Sequence, residues 1–250
     1  MIGRLALLLT LAVAPAAAQF TGDKTDGSPN ANTVRWAKGS YEYRTLTDGR
    51  LRGSEEFFLT VHPDGSRTMR AFTDITARDI SMNVVARVDA RFRPLDIYFS
   101  YFRQGRHRAS GRIAVDGDTL TATADGVAGK ITKVEKVPDT ISVVTHPLAL
   151  DSWTSWHVEP KPGVDQTGAI YMLDTGADAS KPLLGAVASQ RYVYHGDEQV
   201  TVPAGTFVAT HITMDGHSDI WFHGPDRLLI RYIWKDIDRD YVLKSLSRGP

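Results

Sequence analysis

Two histidines and an aspartate lie close together in one proline-containing stretch of the sequence, at His146, Asp151 and His157. Imidazole and carboxylate groups are common general acids and bases, and they also bind metals. Their spacings of five and six residues match neither one face of a helix nor the HExxH pattern of zinc enzymes. They are candidates for acid–base chemistry. The alternative is structural, with Asp151 or Ser152 capping a short helix and the histidines fixing the loop.

Three further histidines, His211, His217 and His223, fall in one predicted hairpin with its turn at Asp215-Gly216. A two-residue turn pairs odd positions of one strand with even positions of the other. His211 and His223 are then expected on opposite faces of the sheet, where they cannot share a metal ion. The sequence predicts no metal site and no cofactor.

Covalent catalysis has little support in the sequence. The chain has no cysteine and no GxSxG motif around a serine. Glu55 and Glu56 are adjacent, so in a strand their carboxylates point to opposite faces and cannot share a proton.

Aromatic residues give a second set of candidates, for contact with an apolar ligand. They occur in one aromatic strand, in the irregular middle of the chain and in the last strands: Tyr98, Tyr101, Trp153, Trp156, Trp221 and Tyr232. A curved sheet lined with such side chains encloses apolar ligands in small barrels. The alternative is that these side chains only fill the core.

Composition excludes several classes of protein. Twenty-nine basic residues balance 29 acidic ones, and 42% of the chain is hydrophobic. Disorder is therefore not expected, and neither is charge-driven binding of nucleic acid. The absence of cysteine excludes disulfides, thiolate zinc sites and a lipid-anchored cysteine. No motif identifies a protein partner.

The first eighteen residues carry the three parts of a secretory signal peptide. Arg4 supplies the positive charge, residues 5–14 form an apolar run, and Ala16, Ala17 and Ala18 supply small residues for cleavage. The run is too short to span a bilayer as a helix, and no other stretch approaches that length. We therefore expect export to a bacterial periplasm, cleavage after Ala18 and a flexible N-terminus over 19–33.

The elements that would position these candidates are strands. Runs of strand-forming residues alternate with turn signals at intervals typical of an antiparallel β protein, in a meander over 34–140 and again over 189–250. Residues 80–88 alternate between apolar and polar, which indicates a strand with one buried face. We predict one all-β domain over 34–250, a long curved antiparallel sheet forming a partly closed barrel or clam.

The middle of the chain, 141–188, lacks this alternation and is predicted to be an irregular connection. It contains a predicted short helix at 148–156 and a predicted strand at 169–173. Long irregular segments of compact domains often cover an opening.

The run Val202-Pro203-Ala204-Gly205-Thr206-Phe207 carries a family resemblance, together with Tyr41-Glu42-Tyr43 and His146-Pro147-Leu148. With these motifs the chain resembles a family of exported Gram-negative bacterial β proteins catalogued as a domain of unknown function. The resemblance implies a barrel-like antiparallel fold and an exported protein, and it implies no catalytic residues. Periplasmic lipid-carrier half-barrels are similar at the level of fold alone.

These observations favour non-catalytic binding of a hydrophobic or amphipathic, lipid-like ligand in the periplasm, with a contribution to envelope maintenance. Two alternatives stay open. One is a hydrolase or lyase that uses His146, Asp151 and His157 in the barrel cavity. The other is an envelope protein that pairs with partners through exposed strand edges.

Overall fold

The fold is a single, strongly curved sheet in a computed structural model that describes residues 33–174 and 181–250. Fifteen strands make up this sheet within the described residues. Their bounds are Arg35–Arg44 (β1), Leu51–Val61 (β2), Arg67–Ile75 (β3), Ile80–Val88 (β4), Pro94–Arg103 (β5), Arg106–Asp116 (β6), Thr119–Gly126 (β7), Gly129–Lys136 (β8), Ser142–Val144 (β9), Asp165–Leu173 (β10), Gly185–Val202 (β11), Gly205–Met214 (β12), Ser218–His223 (β13), Leu228–Trp234 (β14) and Arg239–Gly249 (β15).

The strands follow from alternation in the sequence. In β4 the side chains of Ile80, Met82, Val84, Ala86 and Val88 are all buried, and those between them are half-buried or exposed. Such a period of two buries one face of the sheet and leaves the other in water. The buried faces of the strands together form the concave side, so the core lies inside the curve.

The two predicted β parts belong to the same sheet. The strand order is β8-β7-β6-β5-β4-β3-β2-β1-β15-β14-β13-β12-β11-β10-β9, so the first and last strands pair in its middle. All pairs are antiparallel except β9 and β10, which are parallel. The sheet has two free edges, β8 and β9, and therefore stays open. The predicted all-β, partly closed sheet is confirmed.

The predicted short helix is a 3₁₀ helix, Leu148–Ser155, which we call the central segment. Its side chains are mostly buried against the concave face of the sheet. The predicted cap is wrong, because the N-cap residue is Pro147, and Asp151 and Ser152 lie inside the segment. The strand predicted at 169–173 falls within β10, and the region predicted to be an irregular connection also contains β9 and the first residues of β11.

A buried carboxylate on β2 fixes the start of the central segment. Glu55 accepts the backbone N–H groups of Leu148 and Ala149, each at 2.8 Å. It also accepts the hydroxyls of Tyr43 at 2.7 Å and Thr73 at 2.8 Å. Four donors compensate for burying this group and hold the segment to strands β1, β2 and β3.

The other end of the central segment closes one end of the curved sheet. The indole Nε1 of Trp153 donates to the backbone oxygen of Asp226 at 3.0 Å, and the indole packs edge-on against Phe92 at 5.7 Å. Arg67 donates to the Asp226 carboxylate at 2.9 Å and lies 4.0 Å above the Phe92 ring. This end is therefore sealed by packed rings and paired charges.

The faces of the hairpin histidines differ from the prediction. Met214 pairs with Ser218, so the turn has three residues, and His211 lies directly opposite Trp221. His223 has the same parity as Trp221 and shares its face with His211. The expectation of opposite faces is wrong because the extra turn residue, with Asp215 and Gly216 both at positive φ, shifts the register by one.

The predicted signal peptide over 1–18 and nearly all of the predicted flexible N-terminus over 19–33 lie outside the described residues. Within 33–174 and 181–250, no helix has the length and apolar character needed to cross a membrane.

Candidate ligand-binding cavity

A cavity of about 300 Å³ lies inside the curve of the sheet, at the end opposite Trp153. Its wall contains the apolar side chains of Ile80, Met82, Ile170 and Met214. Turn residues that are exposed, among them Arg78, also line it, so the cavity opens to solvent at this end. The volume corresponds to about ten water molecules at ~30 Å³ each.

Tyrosines and a tryptophan form one wall of the cavity. Tyr43 and Tyr241 pack edge to face with ring centroids 4.8 Å apart, and Tyr232 and Trp234 stack at 6.1 Å. Burial raises the pKa of Tyr241 to about 12, although the positive charges of nearby arginines act to lower it. Burial likewise raises the pKa of Tyr232. The phenols are therefore neutral, with apolar faces and hydroxyl tips.

Asp151 is the ionisable residue that the central segment contributes to the cavity, alongside the polar Thr154. Its Oδ1 is buried and has no hydrogen-bond partner. Burial, together with the charge of Glu55, raises the pKa of this carboxyl well above its ordinary value. A neutral carboxylic acid in an apolar cavity offers a ligand one hydrogen-bond donor and one acceptor.

His146 lies between β9 and the central segment and also lines the cavity. Its Nε2–H donates to the backbone oxygen of Leu173 at 2.9 Å, which leaves Nδ1 as the acceptor. Burial lowers the pKa of its imidazole, against the opposing effect of the carbonyls that it contacts. Its backbone has φ of 76°, a left-handed conformation that redirects the chain into the central segment.

The third member of the predicted acid–base trio lies elsewhere. The ring of His157 is 5.6 Å from that of Trp156 and 5.3 Å from that of Tyr192. Neither ring nitrogen has a hydrogen-bond partner, and His157 is absent from the cavity wall. The cavity thus brings together His146 and Asp151, and the trio does not form a hydrogen-bonded site.

The aromatic candidates divide in the same way. Tyr101 and Tyr232 line the cavity, whereas Trp153 seals the closed end of the sheet. Trp156 is half-buried and its indole N–H is 3.4 Å from the oxygen of Ile141. The remaining two lie outside the cavity: Tyr98 is 49% exposed, and Trp221 stacks on His211 at 4.5 Å.

Several wall residues were not among the sequence candidates: Tyr43, Arg78, His217, Trp234 and Tyr241. Tyr43 and Tyr241 come from opposite ends of the chain and meet because β1 pairs with β15. The alternation of Tyr41 and Tyr43 in one strand, and of Tyr232 and Trp234 in another, could have indicated an aromatic face. The pairing of the two ends could not be read from the sequence.

Metal chemistry has no site among residues 33–174 and 181–250. No group of three or more histidine, aspartate or glutamate side chains in these ranges is arranged to hold a metal ion.

Fold and cavity together define a curved β-sheet protein with an internal, mainly apolar cavity. It is similar to the crystal structure of a β-barrel-like protein of domain of unknown function DUF1849 from Brucella abortus. The likeness covers 88% of this chain and all of that one, with a TM-score of 0.52 and 10% identity.

A DUF1089 family protein from Pseudomonas aeruginosa matches over 72% of this chain and 89% of that one, with a TM-score of 0.41 and 12% identity. No family model matches the chain, and no curated protein matches its sequence. The resemblance expected from the sequence is confirmed as a β-barrel-like fold. At such identities the likeness supports the fold alone.

Proposed function

We propose that this protein binds a hydrophobic or amphipathic, lipid-like small molecule in its cavity without transforming it. The observation that carries this proposal is the cavity of about 300 Å³ with an aromatic and aliphatic wall and one open end. Cavities of this size with mostly apolar walls and a few convergent polar groups are typical ligand sites.

The electrostatics of the wall support an apolar occupant. Burial raises the pKa values of Tyr232, Tyr241 and Asp151 and lowers that of the His146 imidazole, and each of these shifts favours the neutral form. These groups offer hydrogen bonds without charge, so an alkyl chain entering the cavity displaces water without stripping ions of their solvation.

The arrangement of the acid–base candidates supports binding over catalysis. A general base needs an orienting partner and lies within about 3.2 Å of the proton that it removes. His146 is oriented by a backbone oxygen instead of by Asp151, whose Oδ1 has no hydrogen-bond partner, so these two candidates do not form an acid–base pair through that oxygen. His157 packs between Trp156 and Tyr192, away from both.

The experiment compares two valine-to-tryptophan substitutions. Val144→Trp places an indole in the cavity, because Val144 lines it. Val85→Trp makes the same change on the solvated face of β4, where Val85 is 37% exposed. Decan-1-ol is titrated into each protein, with tryptophan fluorescence and native mass spectrometry as readouts.

We expect saturable binding of one decanol by the parent protein and by Val85→Trp, and at least tenfold weaker binding by Val144→Trp. Equal binding by all three proteins places the ligand outside the cavity and contradicts the proposal. An absence of binding by the parent protein contradicts it as well.

We further propose that the chain is exported and acts in the periplasm, on the strength of the charge, apolar run and small residues in 1–18. Expression in a Gram-negative host followed by intact-mass measurement tests this. A periplasmic product beginning at Gln19 supports it, and a cytoplasmic product that retains Met1 contradicts it.

A further inference from the structure

The open end of the cavity carries four arginines on one side: Arg50, Arg52, Arg78 and Arg239. We call this group the arginine lip. Arg52 is the second residue of β2, Arg78 ends the 3₁₀ turn between β3 and β4, and Arg239 begins β15. Arg78 is part of the cavity wall itself.

Strand pairing brings these residues together. Tyr43 on β1 pairs on one side with Gly53, which follows Arg52, and on the other side with Tyr241, two residues after Arg239. The hydroxyl of Thr76 donates to the backbone oxygen of Arg52 at 3.0 Å, which holds the turn carrying Arg78 against β2. The lip therefore adjoins the Tyr43–Tyr241 pair of the cavity wall.

The lip is neutralised only in part, since the charge of Arg50 helps to lower the pKa of the Asp48 carboxyl. By contrast, Arg231 on the adjoining strand β14 has a carboxylate partner, Asp240 of β15, at 2.8 Å. In the described part of the chain, no carboxylate makes an ion pair with any guanidinium of the lip. Burial and the like charges of Arg239, Arg50 and Arg78 lower the pKa of Arg52, as expected for cations held close together.

Nearby carboxylates are engaged elsewhere. Asp238 accepts the backbone N–H and hydroxyl of Thr47 at 2.9 and 3.1 Å, and Asp48 accepts the backbone N–H of Arg50 at 3.0 Å. The opposite side of the opening carries Asp215 and His217 instead. The opening is thus polarised, with cations on the side of β1, β2 and β15.

We infer that the ligand is an anionic amphiphile, whose alkyl chain occupies the cavity and whose phosphate or carboxylate head group lies on the arginine lip. Guanidinium groups bind both heads through paired N–H···O hydrogen bonds. This inference rests on the proposed function and adds the charge and position of the head group. It also accounts for a cluster of like charges, two of them half-buried (Arg52 and Arg239), that would otherwise only repel one another.

The test uses three ten-carbon probes that differ only in the head group: decyl phosphate, decanoate and decan-1-ol. Each is titrated into the parent protein and into Arg52→Gln/Arg78→Gln at two ionic strengths. Arg70→Gln is the matched control, because Arg70 is an exposed β3 arginine stacked 4.9 Å from Phe58 on the solvated face. Urea midpoints verify that the variants are folded.

We expect the parent protein and Arg70→Gln to bind at least one of the anions at least tenfold more tightly than decanol. In Arg52→Gln/Arg78→Gln the ratio of anion affinity to decanol affinity, measured within the same variant, falls below about threefold. The preference also weakens with added salt, since the lip is solvent-accessible. A stronger preference for decyl phosphate identifies a phosphate head group, and one for decanoate identifies a carboxylate.

Two results overturn the inference. If decanol binds as tightly as both anions, or if the preference persists in the double variant, the lip does not hold the head group, and the proposed function stands. If none of the probes binds to the parent protein, the proposed function fails and the inference fails with it.

Discussion

Substitution of Asp151 by asparagine should stabilise the protein, by an amount that grows with pH. Its carboxyl is buried, Oδ1 has no hydrogen-bond partner, and its pKa is raised by burial and by the charge of Glu55. A group whose pKa is higher in the folded state favours folding in its protonated form. The folded protein then loses stability as pH rises from the unfolded-state pKa toward the folded-state pKa.

The magnitude follows from proton linkage. Between those two pKa values the folded protein holds a proton at Asp151 that the unfolded chain has released. Each pH unit therefore costs up to about 1.4 kcal/mol of unfolding free energy. Asparagine cannot ionise, so the difference between Asp151→Asn and the parent protein rises with that slope from about pH 4. Coupling to Glu55 makes this slope an upper value.

The assay is urea unfolding followed by tryptophan fluorescence at pH 4.5, 5.5, 6.5 and 7.5 and constant ionic strength. Asp226→Asn is a control with the opposite sign. Burial opposes ionisation of Asp226, but hydrogen bonds and charges from Arg35 and Arg67 outweigh it and lower the pKa of its carboxyl. Its substitution should therefore be destabilising by a nearly constant amount from pH 4.5 to 7.5, because this range lies above the unfolded-state pKa of an aspartate. A stability difference for Asp151→Asn that is constant, or that falls with pH, refutes the reasoning.

Three further predictions concern packing and binding. Glu55→Ala leaves four donors without their acceptor, including the Leu148 and Ala149 N–H groups, and should lower the free energy of unfolding by at least about 3 kcal/mol. Tyr43→Phe removes one of these four donors and should lower it by about 1 kcal/mol. Urea midpoints measure both changes. Gly168→Ala should lower the free energy of unfolding by about 1–3 kcal/mol, because a Cβ there would lie 2.0 Å from His157 Nε2. An unchanged urea midpoint would contradict this close packing. Across alcohols from hexanol to decanol, each added methylene should lower the dissociation constant about fourfold, equivalent to ~0.8 kcal/mol. Fluorescence titration measures these constants, and an affinity independent of chain length would exclude an apolar site.

Local patterns in the sequence were sufficient for the strands and for the curved sheet. Alternation over 80–88 predicts β4 with its buried face, and the apolar run at Leu148 predicts the short helix. Both depend on neighbours in the chain, where side-chain period and turn residues carry the information.

Register and long-range pairing could not be predicted in the same way. One additional turn residue at His217 was enough to move His211 and His223 to the same face of the sheet. The aromatic wall depends on β1 meeting β15 across almost the whole described chain. No local pattern encodes that contact.

The acid–base candidates illustrate the same limit. His146 and Asp151 were selected for their proximity in sequence, and the structure places both on the cavity wall because the central segment runs along the concave face. His157 follows by only six residues, yet it lies beyond the end of that segment and packs against Tyr192. The direction in which each side chain leaves the backbone, more than its spacing in the sequence, decides whether it reaches the cavity.

The methionines permit the most direct test of cavity binding. Met82, Met172 and Met214 line the cavity, whereas Met69 is buried in the core outside it. With methyl-labelled methionine and bound decyl phosphate, we predict intermolecular nuclear Overhauser effects from the alkyl chain to the first three methyl groups and none to that of Met69. A saturated complex whose alkyl chain contacts none of the three cavity methionines would contradict the account.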